Sequence, residues 1–189
     1  MSSAPKLKSN AELLREIASL PDDQTGEVID GAMYVMGRPN PKHQAAEGEV
    51  FSQLKKGGPG GRGGPWIFLP EVSIRFATDE EVVPDLAGWR RERLAGKFDD
   101  NPIRVRPDWV CEILSDSTRV KDLGPKRKLY AKQGVPYLWL IDPNAKVLEA
   151  FQLVGSAWQL QGTWSNDDVI KGLDPFPELT VQLAEWWLS

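Results

Sequence analysis

Asp85 and Glu112 are the residues of this sequence whose surroundings ask for a chemical explanation. Asp85 lies in "VVPDLAGW" and Glu112 in "DWVCEILS", both otherwise apolar stretches. A carboxylate buried there without a partner costs several kcal/mol. Read as strands, these stretches alternate their side chains between two faces. Glu112 then shares a face with Asp108, Val110 and Leu114, and Trp109, Cys111, Ile113 and Ser115 take the other. Pro84 puts Asp85 at a strand end or edge. Two carboxylates that reach one point from neighbouring strands repel, and one pKa rises unless a cation lies between them. A hard divalent ion such as Mg²⁺ resolves that conflict, because it takes one or two carboxylates plus waters.

A cation of the chain follows in the sequence. "GPKRKLYAKQG" reads as a helix after the Glu112 strand, with Lys126 and Tyr130 four apart on one face. Lys128 points away from that face. Lys126 is therefore the lysine expected to reach back to the acids, with Tyr130 packed at the sheet. Each residue also has a plainer reading. Asp85 can be a turn acid after proline, Glu112 the partner of an arginine, and Lys126 an exposed lysine. Their order on strand, strand and following helix favours the joint reading.

The elements that must position these residues alternate along the chain. Ser9 and Glu12 form a capping box ahead of Leu13, Leu14, Ile17 and Leu20, which predicts a short helix stopped by Pro21. "TGEVIDGAMYVMG" reads as a hairpin turning at Asp30-Gly31. A helix is expected over "NPKHQAAEGEVFSQLKK", then a loop from Gly57 to Pro65 whose glycines fit no phosphate cradle. Three strands follow, "WIFLPEVSIRFA", "EVVPDLAGW" and "DWVCEILS". A helix over Gly124 to Gln133 ends at Gly134. "VPYLWLIDP" and "KVLEAFQLV" are strands, "AWQLQGTW" and "DVI" edge strands, and "PELTVQLAEWWL" a closing helix. The plan is α/β (α+β), a mixed sheet with helices on its faces. One domain over 1–189 is expected, with a helical extension over 1–24 and a core over about 26–188.

Composition bounds the function. The 189 residues are 41% hydrophobic and 26% charged, as in a globular domain. There is no apolar run of the about 20 residues that span a bilayer, and no secretory signal is read at the N-terminus. Cys111 is the single cysteine, which excludes an internal disulfide and a cysteine-rich zinc site. A reducing cytoplasm is the expected location. The net charge of −4 argues against coating nucleic acid by bulk electrostatics, though lysines and arginines cluster locally.

Five stretches carry a resemblance: "GEVIDGAMYVM", "NPKHQ", "VVPDLAGW", the long "PDWVCEILSDSTRVKDLGPKRKLYAKQGVPYLWLIDP" and the apolar C-terminal segment. On these the chain resembles the Uma-type restriction endonuclease family of the PD-(D/E)XK superfamily, from about Gly26 to Leu188. The long central stretch is the specific part. The "PD" dipeptide is not, since it occurs at Pro84-Asp85 and again at Pro107-Asp108.

The resemblance implies a restriction-endonuclease-like mixed sheet and a metal-dependent endonuclease acting on DNA. It makes Asp85 the PD aspartate and Glu112 the first acid of the (D/E)XK element. The sequence departs from the superfamily where Leu114 fills the lysine slot, and Lys126 on the following helix takes that role. Glu27 and His43 fall in family-like stretches, Glu27 as a further metal ligand and His43 with a structural or catalytic role. Asp85, Glu112 and the Ile113 carbonyl would hold Mg²⁺ or Mn²⁺. Arg119 and Lys121, in the loop before the helix, would hold the nucleic-acid backbone. A second reading is an inactive nuclease fold that binds nucleic acid or regulates. A third is an interaction protein that dimerises through tryptophans such as Trp186 and Trp187.

Overall fold

The computed structural model describes residues 8–56 and 58–188. The first seven residues of the expected extension lie outside them. Helix α1 (Asn10–Ile17) opens as its capping box predicts: the Glu12 amide donates to Ser9 Oγ and the Ser9 amide donates to the Glu12 carboxylate. It ends at Ile17, short of Leu20. Strands β1 (Thr25–Ile29) and β2 (Ala32–Met36) form the expected hairpin. Its turn residues, Asp30 at φ 48° and Gly31 at φ 74°, hold the left-handed backbone that such a tight hairpin needs. Helix α2 (Pro41–Lys56) follows, with the Asn40 side chain accepting the His43 amide.

The expected strands before and through Asp85 each break in two. β3 (Trp66–Pro70) and β4 (Ile74–Arg75) replace the first; β5 (Glu81–Val82) and β6 (Leu86–Arg90) replace the second. A proline stands at each break, Pro70 at the first and Pro84 at the second, and interrupts the ladder because it has no N–H to donate. The pieces then join different sheets, which corrects the single-sheet expectation. β2, β1, β5 and β4 make an antiparallel four-stranded sheet. The main sheet has the order β10-β9-β8-β7-β6-β3, where β7 is Trp109–Ile113, β8 Tyr137–Asp142, β9 Val147–Val154 and β10 Ala157–Ser165. Only β7 and β8 pair in parallel, so the main sheet is mixed as expected. A four-residue helix α3 (Arg91–Leu94) follows β6.

The helix after β7 starts earlier than its expected Gly124. It runs as α4 (Arg119–Lys121), a π-helical turn (Asp122–Lys126) and α5 (Arg127–Lys132). Pro125 sits inside the π turn, where its missing N–H favours a wider ladder over a regular α one. The expected closing helix is also corrected. Its residues form β12 (Thr180–Gln182), paired with β11 (Val169–Lys171), and a 3₁₀ turn over Leu183–Trp186. Thr180 and Val181 are β-branched and favour the extended backbone.

The main sheet carries a core on each face. On one, Trp109, Cys111, Ile113, Trp139 and Ile141 pack against Ala46, Val50 and Leu54 of α2 and against the C-terminal segment. Phe176 lies at the centre, edge-on to Trp66, Phe68, Trp109 and Trp139. Trp186 is buried in this cluster, so it fills the core and is not the dimer surface of the third sequence reading. Phe176→Ala is expected to lower the unfolding free energy by about 3–5 kcal/mol in urea titration. On the other face, Val110, Leu138 and Leu140 pack against Leu129 and Tyr130 of α5 and against Ile29 and Val82 of the smaller sheet. The predicted face assignment of the β7 residues therefore holds.

Candidate active site

Glu112 projects from the second face of β7, among the buried side chains that separate the two sheets. It is fully buried, and both its oxygens are taken: Lys126 Nζ donates to Oε2 at 2.8 Å and the Tyr130 hydroxyl donates to Oε1. The helical spacing of Lys126 and Tyr130 places both on one carboxylate: Lys126 reaches the acid as its position suggested, and Tyr130, expected only to pack at the sheet, bonds to it as well. Leu114 is buried.

Asp85 sits just before β6, an interior strand, so it has a strand-end and not an edge position. β6 and β7 are antiparallel, with Leu86 opposite Cys111. Continuing that register by one residue sets Asp85 across from Glu112. The Asp85 side chain takes over the ladder there: its Oδ2 accepts the Ile113 amide at 2.5 Å. Its Oδ1 faces His43 Nε2 of α2 at 3.1 Å, an ionic contact without the alignment of a hydrogen bond. Burial works against the imidazolium, but Asp85, helped by Glu47 and Asp122, raises the His43 pKa above its ordinary value.

These residues open into a cleft of about 380 Å³ between the hairpin, α2, β7 and the π turn. Asp85, Glu112, His43, Glu71, Lys121, Asp122 and Lys126 line it. Lys121 departs from its expected place. It lies in α4, not in a loop, and is buried with its ammonium on Glu27. Arg119, also helical, is half exposed and pairs with Asp142. Glu27 is fully buried behind the cleft, between Lys121 and Lys126, and accepts the Val83 amide at 2.8 Å.

Burial pushes the Glu112 carboxyl well up; Lys126 counters this, and Asp85, Asp122 and Glu27 add to it. Burial alone would depress Lys126, yet Glu112, Glu27 and Asp122 hold it well above the usual lysine value. Asp122 was not singled out from the sequence. Burial raises its pKa, and its Oδ1 has no hydrogen-bond partner among the described residues. Its i, i+4 spacing to Lys126 was the signal available.

A family model described as "Uma2: Putative restriction endonuclease" matches residues 11–184. The chain belongs to the Uma2 family. A solved structure titled as a "putative nuclease belonging to DUF820" from Anabaena variabilis ATCC 29413 superposes with a TM-score of 0.73. The two are 23% identical over 95% of this chain and 97% of that one, and share the fold. No curated protein matches. Membership of Uma2 points to a nuclease-type hydrolase built on this mixed sheet. No helix among the described residues is long and apolar enough to cross a membrane.

The Uma2 cleft suits a hard cation. Glu71, Asp85, Glu112 and Asp122 bring carboxylates to its lining, beside the cations Arg38, Lys121 and Lys126. The donors are oxygens, and Asp122 Oδ1 makes no hydrogen bond, only ionic contacts to Lys121 at 3.6 Å and Lys126 at 4.0 Å. Among the described residues no three His, Cys, Asp or Glu side chains stand together as a metal cluster.

Glu47, one turn after His43, was also missed. Its pKa is pushed up to about 7, by burial first and then by Asp85 and Glu71. Its folded-state value exceeds its unfolded one, so its contribution to stability is full below about 4.5. It is lost as pH rises through about 7. Glu47→Gln is therefore expected to be more stable than the parent at about pH 8 and equal to it near about pH 4. The gain is about 1 kcal/mol after solvent screening, read by urea unfolding in chelator.

Proposed function

We propose that the protein is a metal-dependent endonuclease that hydrolyses phosphodiester bonds in DNA. The observation that carries this reading is the meeting of Asp85 and Glu112, from antiparallel neighbours β6 and β7, at one cleft backed by buried lysines. Uma2 membership supplies the reaction class.

Asp85, Glu112 and the Ile113 carbonyl would hold Mg²⁺ or Mn²⁺. Bound there, the ion lowers the pKa of a water and polarises a phosphoryl oxygen. The chain's own residues do the rest. The Ile113 amide and His43 fix the Asp85 carboxylate from two sides. Lys126 and Tyr130 fix Glu112. Lysine charge in a buried cleft offsets the negative charge that grows on phosphate in the transition state. DNA is the partner this chemistry implies, with the half-exposed Arg119 as a backbone contact.

The test is conversion of supercoiled plasmid to nicked circles in Mg²⁺ or Mn²⁺. Wild-type protein is expected to nick, chelator to stop it, and Glu112→Gln to reduce it strongly. Glu112→Gln nicking at the wild-type rate would reject the assigned site. A second reading, an inactive fold that binds nucleic acid, draws on two observations: the usual lysine slot holds buried Leu114, and both Glu112 oxygens are already engaged. It predicts DNA retention in a gel shift with no nicking in either ion.

A further inference from the structure

A lysine ammonium carries three N–H donors. At Lys126 two of them reach Glu112 Oε2 at 2.8 Å and the Val83 carbonyl at 3.0 Å, and Glu27 Oε1 lies in ionic contact at 2.8 Å. Lys121 is engaged differently. It has one strong acceptor, Glu27 Oε2, and a weak one, the Met36 thioether sulfur. The remaining neighbour, Asp122 Oδ1, lies at 3.6 Å, beyond hydrogen-bond length. Both lysines line the cleft. A phosphate oxygen entering it can take a donor from Lys121 without breaking a charge-assisted hydrogen bond. At Lys126 it must compete with Glu112, Glu27 and the Val83 carbonyl, all within 3.0 Å of the ammonium, which is costly at such a depth.

We propose that Lys121 is the ammonium that contacts the phosphate in the cleft, and that Lys126 is a positioning residue holding Glu112 and Glu27. This deepens the nuclease reading and rests on it. The π turn is the device that makes the arrangement. Lys121 and Lys126 are five residues apart, which an α-helix would set about 140° apart around its axis. The wider π turn over Asp122–Lys126 swings both ammoniums to one side, and each Glu27 oxygen pairs ionically with one of them. Glu27 thereby acts as a clamp on two lysines. Its oxygens are filled by Lys121, Lys126 and the Val83 amide.

Reductive methylation of the wild-type protein, read by mass spectrometry, orders the two amines. Lys121 is expected to react faster than Lys126, and a duplex oligonucleotide in Ca²⁺ to slow the Lys121 reaction. Lys121→Met is expected to bind that duplex about tenfold or more weakly, the loss of one charge-assisted contact. Its thermal midpoint is expected to fall, because Glu27 stays buried with one of its cations removed; binding is therefore read well below that midpoint, where Lys121→Arg should recover part of it. Lys126 reacting at least as fast as Lys121, or Lys121→Met binding the duplex like wild type, overturns the assignment. A wild-type protein that nicks in neither Mg²⁺ nor Mn²⁺ counts against the nuclease reading; labelling order and duplex affinity still decide between the lysines.

Discussion

Asp85→Asn is expected to lower the Mg²⁺-dependent nicking rate by about a hundredfold or more, the scale of losing one group that organises a charged transition state. The fold should survive. The asparagine carbonyl still accepts the Ile113 amide, the one hydrogen bond by which Asp85 completes the β6–β7 ladder. Asp85→Ala separates the two duties of this side chain. It removes the charge and also leaves the Ile113 amide without an acceptor, which costs about 1–3 kcal/mol of stability. Nicking should therefore fall equally in both variants, while only the alanine variant loses stability in urea. Asn at the wild-type rate would remove Asp85 from the site. Equal stability of the two variants would deny the ladder bond.

The acid pair was legible because strand alternation is local. In β7 the faces read from "DWVCEILS" are the faces the two cores use, and Glu112 lies with Val110 against α5. The Lys126–Tyr130 pair was legible for the same reason: four residues of helix put both on one carboxylate. The smaller sheet was not. Its strand pairs join β1 to β5 across about fifty residues, and two-residue strands carry no period to read. Glu27 could be suspected only from family likeness, because its lysine partners lie far along the chain. Lys121 was misplaced in a loop because a π turn breaks the 3.6-residue period on which helix reading depends. The C-terminal segment looked amphipathic enough for a helix. Its burial of Trp186 and Leu183 comes instead from a short strand and a 3₁₀ turn.

A stability effect as large as that of Phe176→Ala is expected at Lys126. Lys126→Met fills similar volume but strips the cation from Glu27 and Glu112, both buried, and from the Val83 carbonyl. Breaking a buried ion pair from one side costs about 3–5 kcal/mol, because the partner's charge stays behind. The pH dependence has a definite sign. Lys126 has its pKa raised in the fold, so its contribution is full below the unfolded lysine value and is lost as pH rises through the folded one. In the methionine variant the stranded carboxyls dominate instead. Glu112 already has its pKa raised in the parent, and protonation relieves it, so the deficit of the variant shrinks as pH falls. Lys126→Met/Glu112→Gln should recover at least about 1 kcal/mol relative to the sum of the single variants, since the two groups are in contact. Additive losses in that double-mutant cycle would show that the lysine and the glutamate are not energetically coupled, and the positioning role assigned to Lys126 would fall with them.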